Sequence, residues 1–157
     1  MPRRQLRMNR NSDAPTRTWF VTGASGGFGR AICDAVIARG DRLVATAPTT
    51  DDLETAYPDA LVLELDVTDP KAARAAVDRA VAELWGLDIV VNNAGYGHFG
   101  AVEELTDDEL RRQFEVNLFG VLNVTRAALP HLRRQRSGHI VQMSSLNGIE
   151  GMVGGGY

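Results

Sequence analysis

The chemistry-bearing residues of this chain fall at the ends of short apolar runs. The first group is Thr22-Gly23-Ala24-Ser25-Gly26-Gly27-Phe28-Gly29, which follows the apolar run 19–21. Gly23, Gly27 and Gly29 remove the Cβ atoms that would keep a ligand from the backbone. From Phe28 the apolar residues Ile32, Ala35 and Val36 recur at helical spacing, and Gly40 supplies a stop. A strand, a glycine turn and a helix start aim free N–H groups and a positive dipole end at an anion, most often a pyrophosphate. The same turn in a ligand-free protein would simply be a tight strand–helix connection. Asp66-Val67, Asn92-Asn93-Ala94-Gly95 and Ser144-Ser145 stand at the ends of three further apolar runs. A serine without a base is a polarising hydrogen-bond donor and not a nucleophile. His98, His131 and His139 show neither triad nor metal-ligand spacing.

The elements that must hold these residues alternate strictly. Strands are predicted at 19–21, 42–47, 60–65, 87–91 and 139–143. Helices are predicted from Phe28 to Gly40, from a cap at Asp69 or Thr68 to about Trp85, and from a capping box at Thr106 and Glu109 through Leu129, with a break or kink near Pro130. Residues 49–57 read as a short polar helix or a turn, and Arg133, Arg134 and Arg136 as a solvated helix end. This β-α-β order calls for right-handed crossovers and a doubly wound, Rossmann-like parallel α/β sheet with helices on both faces. Ligands of such sheets sit beyond the carboxyl ends of the strands, where all four candidate stretches converge.

Composition narrows the classes. The chain has 157 residues, 44% hydrophobic and 24% charged, with a formal charge of −3, which argues against nucleic acid as the main partner. Its only lysine is Lys71, so no Gly-Lys-Ser/Thr phosphate loop exists. Cys33, the only cysteine, falls on the apolar side of the first helix and reads as a core thiol in a reducing, cytoplasmic setting. No apolar run is long enough to span a membrane. Residues 1–17 are arginine-rich with no apolar stretch behind them. They read as a disordered basic extension in preference to a nucleic-acid or membrane arm, leaving 18–157 as the nucleotide-binding domain.

Thr22-Gly23-x-x-x-Gly27-x-Gly29, Asn92-Asn93-Ala94-Gly95, Asn117 within Val116-Asn117-Leu118-Phe119-Gly120, and Ser144-Ser145-x-x-Gly148 together resemble the classical short-chain dehydrogenase/reductases, here their N-terminal portion. The resemblance covers residues 18–157. It implies hydride transfer between NAD or NADP and a carbonyl or alcohol substrate. Gly23, Ser25, Gly27, Phe28 and Gly29 would hold the pyrophosphate, Asp66 and Val67 the adenine, and Asn93, Ala94 and Gly95 the adenosine and ribose side. Asn92 would only tie its strand to a neighbour. Asn117 would support a proton-relay water, Ser145 would hydrogen-bond the substrate oxygen, and Ser144 would be structural.

The family's tyrosine base usually stands thirteen residues after that serine, which points to position 158; Tyr157 is twelve on and would be the base or merely its neighbour. The lysine four residues beyond the tyrosine is absent, so the chain is expected to be a truncated, inactive form whose sheet ends at the fifth strand with an unprotected apolar edge. A non-catalytic dinucleotide-binding module and a gene remnant are the alternatives. No acidic residue ends the second strand near Ala47, which leans toward NADP, while Pro48 stands where an NADP enzyme often has arginine. Relatives often pair through the long helix holding Asn117, so a homo-oligomer is expected at full length.

Overall fold

The structure, a computed structural model, describes residues 15–151, 153 and 154. The elements run β1 (Thr18–Thr22), α1 (Gly27–Ala38), β2 (Arg42–Ala47), α2 (Asp51–Ala56), β3 (Leu61–Glu64), α3 (Pro70–Leu84), β4 (Ile89–Asn92), α4 (Asp107–Phe114), a π-helical turn (Glu115–Gly120), α5 (Val121–Gln135) and β5 (His139–Gln142). The strands form one sheet in the order β3-β2-β1-β4-β5, and every pairing is parallel. The chain therefore builds outward from β1 in one direction through β3, crosses back, and builds the other way from β4. The crevice at this reversal, between the carboxyl ends of β1 and β4, is where such sheets take ligands.

Alternation along the strands splits the core between two faces. Phe20, Val44, Leu63 and Val90 face α3 and α5, which answer with Ala73, Ala76, Val77, Ala80, Val124, Ala127 and Ala128. Val21, Leu43, Ala45 and Val91 face the other way, against Cys33 and Val36 of α1 and Leu53 of α2. Both faces of the central strands are covered, so β1, β2 and β4 read as continuous apolar runs. The alanines let α3 and α5 lie close to each other and to the sheet.

Three local expectations are sharpened. Asp69, not Thr68, caps α3: its carboxylate accepts from the N–H groups of Lys71 at 2.7 Å and Ala72 at 3.1 Å, with Pro70 at the first helical position. The third strand is shorter than 60–65, because the Ala60 N–H turns back to the Tyr57 carbonyl. Residues 49–57 resolve into α2.

One expectation is corrected. No break occurs at Pro130; α5 runs through it to Gln135. Arg126 and Pro130 share the exposed side of α5, so the carbonyl left without an N–H partner is on the face open to water. The irregularity instead falls at Glu115–Gly120, where a Cβ on Gly120 would lie 2.5 Å from a Val67 methyl. At the other sheet edge, β5 leaves Val141 exposed, and Met143 just beyond it is exposed as well.

Candidate active site

Thr22, the last residue of β1, holds the site together. It is buried, and its hydroxyl donates to the Val91 carbonyl at 3.3 Å while accepting from the N–H groups of Asn93 at 3.0 Å and Ala94 at 2.9 Å. The Asn93 amide returns the tie, donating to the carbonyls of Thr22 at 2.9 Å and Gly23 at 3.1 Å. The exits of β1 and β4 are thus locked together by side chains where the ladder ends. Glycine is required by this approach: a Cβ on Gly23 (φ +65°) would sit 2.9 Å from Ala94 Cα, and one on Gly29 only 2.1 Å from the Gly23 carbonyl oxygen.

In front of this lock the start of α1 is bare. Its N-cap, Gly26, supplies no side-chain acceptor, and Cβ atoms on Gly26 or Gly27 would meet nothing within 4 Å. The starts of α3 and α4 are closed by Asp69 and by the Thr106–Glu109 capping box. Free first-turn N–H groups, no acidic residue in that turn and open space before two glycines fit a dinucleotide pyrophosphate.

The opposite rim comes from β4, the π turn and the segment after β5. The Asn117 amide grips the backbone of Tyr96 from both sides, accepting from its N–H at 3.1 Å and donating to its carbonyl at 2.6 Å. Gly95 makes room, since a Cβ there would lie 3.0 Å from Asn117 Oδ1. Ser145 Oγ accepts from the Asn147 N–H at 3.2 Å, which leaves its own proton to donate. Asn92 bridges strands and helix as expected, donating to Gln142 Oε1 at 2.8 Å and Thr125 Oγ1 at 3.0 Å.

These parts enclose a cleft of about 720 Å³, within the range of small-molecule and cofactor sites. Its wall brings together Gly23, Ser25, Gly27 and Phe28; Asn93, Ala94 and Gly95; and Asn117 and Ser145. Among the described residues, no charged side chain lines it. Gly29 packs behind the wall. Asp66 and Val67 lie off it: the Asp66 carboxylate is taken up by the N–H and hydroxyl of Thr68, and Val67 is buried beneath Gly120. Tyr157 lies outside the described residues. Sequence reasoning gave no role to the Thr22 hydroxyl, Val121 or Met143. A polar residue ending a buried strand beside a glycine turn was the available signal, because a buried hydroxyl must find partners. A smaller hollow of about 330 Å³ on α4, lined by Leu110, Phe114 and Phe119 among others, shares no residue with the cleft.

The groups with displaced titration are outside the cleft and structural. Burial, with Asp34 adding to it, pushes the Cys33 thiol up to about 12, which makes it inert. Burial and a 2.7 Å hydrogen bond to Asp34 raise the Tyr57 hydroxyl. Burial works to raise Asp41, but the Arg17 N–H, the Trp19 indole and the Arg39 guanidinium together hold it below the usual carboxylate range.

Comparisons with known proteins find the same fold in a known family. The family model described as short chain dehydrogenase matches residues 17–157. Oxidoreductase BOA17 of Botryotinia fuckeliana is 42% identical over 148 residues, an alignment covering 88% of this chain and 53% of that protein. A short-chain dehydrogenase from Streptomyces avermitilis superimposes with a TM-score of 0.82 at 44% identity, over 89% of this chain and 53% of that one. An alcohol dehydrogenase from the archaeon Thermococcus sibiricus, complexed with 5-hydroxy-NADP, gives 0.84 at 29% identity, over 90% and 63%. The chain spans about half the length of the curated relatives it matches.

Proposed function

The chain belongs to the short-chain dehydrogenase family, and on that premise we propose that it serves an NAD(P)-dependent oxidoreductase acting on a small carbonyl or alcohol. The observation that carries this reading is the convergence of the bare α1 start, Asn117 and Ser145 on one uncharged cleft. When bound, the reduced nicotinamide supplies a hydride to the carbonyl carbon, and the carbonyl oxygen takes a proton. The chain's own residues bind and orient. Gly23, Ser25, Gly27, Phe28 and Gly29 form the pyrophosphate cradle, with Asn93, Ala94 and Gly95 beside the ribose. Asp66 and Val67, which lie off the cleft wall, would hold the adenine. Ser145 donates a hydrogen bond to the substrate oxygen, an interaction worth about 10²–10³ in kcat at comparable sites. Asn117 serves the proton relay from the widened turn, and Tyr157 is the candidate acid/base, which gives its hydroxyl proton to the carbonyl oxygen in reduction and takes it back through that relay. Lys71, the one lysine of the sequence, sits in the first turn of α3 and not on the cleft wall.

NADP is the favoured cofactor, because β2 ends in buried Ala47 with no carboxylate of its own to take a ribose 2′-OH, and the next acids along the chain are Asp51 and Asp52 at the start of α2. Residues 18–157 form the nucleotide-binding unit and 1–17 a basic extension. The setting is cytoplasmic, and the apolar residues Phe114, Leu118 and Phe119 exposed on α4 and the π turn suit pairing between copies. Among the described residues no helix is long and apolar enough to cross a membrane.

The test has two steps. Intact mass of the native protein, with the coding DNA read past codon 157, shows whether a tyrosine at 158 and a lysine at 162 accompany Ser145. Titration with NADPH and NADH, followed by a carbonyl screen of wild type and Ser145→Ala, then decides the reading. Tighter NADPH binding and a loss of about 10²-fold in turnover support it; no nucleotide binding by the wild type refutes it.

A further inference from the structure

We propose that Gln113 is a positioning residue for the substrate side of the cleft, acting through the backbone of His98. The inference rests on the proposed function, in which Ser145 meets the substrate oxygen, and Tyr96 lines the same cleft as Ser145.

The segment after β4 leaves the sheet as an arm with neither helix nor strand before the bridge at Gly100, and alternate N–H groups of that arm are held, as in extended chain. Tyr96 donates to Asn117 Oδ1 at 3.1 Å, His98 to Gln113 Oε1 at 3.2 Å, and Gly100 to the Gly154 carbonyl at 3.0 Å. The spacing explains the match. Residues two apart in extended chain are about 6.6–6.8 Å apart, and residues four apart on a helix rise about 6 Å. Gln113 on α4 and Asn117 in the π turn therefore present two amide acceptors at the pitch of the arm, which runs antiparallel to the helix. Asn117 grips Tyr96 directly. Gln113 is half-buried and grips one step further out, at His98, whose ring meets the Tyr96 ring edge-on with centroids 5.7 Å apart. Among the described residues no other group accepts from the His98 N–H. Without Gln113, the arm would be anchored at Tyr96 and Gly100 but free to bow between them, and the Tyr96 ring would lose the support of His98. The pyrophosphate cradle stands on β1 and α1, and Asn93 to Gly95 precede the braced stretch of the arm.

The role asked of Gln113 is an acceptor oxygen, which Gln113→Glu keeps and Gln113→Ala removes. Amide hydrogen exchange of the full-length protein by NMR reads the brace directly. In Gln113→Ala the His98 amide is expected to exchange about 5-fold faster, from a hydrogen bond of ordinary net strength. Tyr96 should stay within about 2-fold, and Gln113→Glu should restore His98. Steady-state kinetics on the same proteins, with cyclohexanone, benzaldehyde and ethyl acetoacetate as probes, should show carbonyl KM raised about 5-fold in Gln113→Ala. The KM for NADPH and kcat should stay within about 2-fold of wild type. An unchanged His98 exchange rate in Gln113→Ala overturns the proposal, as does an NADPH KM that rises with the carbonyl KM. If the wild type reduces none of the probes and oxidises no alcohol, the oxidoreductase reading falls on its own, and the exchange comparison still decides the brace.

Discussion

Replacing Thr22 by valine tests whether one hydroxyl locks the two central strands. Valine fills nearly the same space, so the change isolates the oxygen. The Thr22 hydroxyl serves three partners, the Val91 carbonyl and the N–H groups of Asn93 and Ala94, at a site 1% exposed. Removing it leaves two N–H donors without an acceptor. Each such orphan costs about 1–3 kcal/mol where water is shut out. Asn93 and Ala94 are half-buried, which favours the lower end, so Thr22→Val should cost about 2–4 kcal/mol. For a domain of this size that is a fall in Tm of roughly 5–15 °C. Thr22→Ser keeps the oxygen and loses a methyl, and should cost about 1 kcal/mol. Urea denaturation followed by circular dichroism gives both values, and an unchanged m-value would show that only native-state stability moved. If Thr22→Val falls within about 0.5 kcal/mol of wild type, or if serine costs as much as valine, the hydroxyl does not lock the strands.

Other consequences can be checked on the same material. Gly29→Ala forces a Cβ against the Gly23 carbonyl and should cost about 3 kcal/mol or more, whereas Gly26→Ala, with open space around it, should cost less than about 1 kcal/mol; thermal melts of the pair decide this. Asp41 has a folded pKa below its unfolded value, so its contribution is present above about pH 4 and is lost as pH falls through the folded value. Asp41→Asn should therefore lower Tm at pH 7, with the gap to wild type narrowing as pH falls below about 4 in a pH series of melts. Trp85 caps α3 at φ +61° with its side chain exposed, so Trp85→Gly should raise stability by about 0.5–1 kcal/mol in urea titrations.

The order of elements was legible because each strand is a compact apolar run and each helix carries its own punctuation, such as Asp69-Pro70 or Thr106-x-x-Glu109. The glycine turn and the serine were legible for a related reason: backbone approach leaves glycine as the only residue that fits, and position at a strand end places a side chain over the crevice. Pairwise distances between distant segments were not. That Asn117 would take both polar groups of Tyr96, and that Gln113 would reach His98, depends on how far the π turn displaces one helix face. No local propensity encodes that. The Pro130 error has the same root, since proline's cost depends on whether its orphaned carbonyl faces water, a tertiary property.

The placement of β1 at the centre of the sheet also sets an order of events during synthesis. Phe20 finds its first partner, Val44, soon after leaving the ribosome, but its other partner, Val90, is seventy residues further along the chain (90 − 20 = 70). At about 5–20 residues per second, the 46 residues from Val44 to Val90 (90 − 44 = 46) take roughly 2–9 s. Throughout that time, β1 keeps one backbone edge open. The interval is long enough for a chaperone to bind, or for a neighbouring nascent chain to add a strand in place of β4. Translation rate across residues 48–88 is therefore a variable that should govern the yield of folded protein, independently of the stability of the finished sheet.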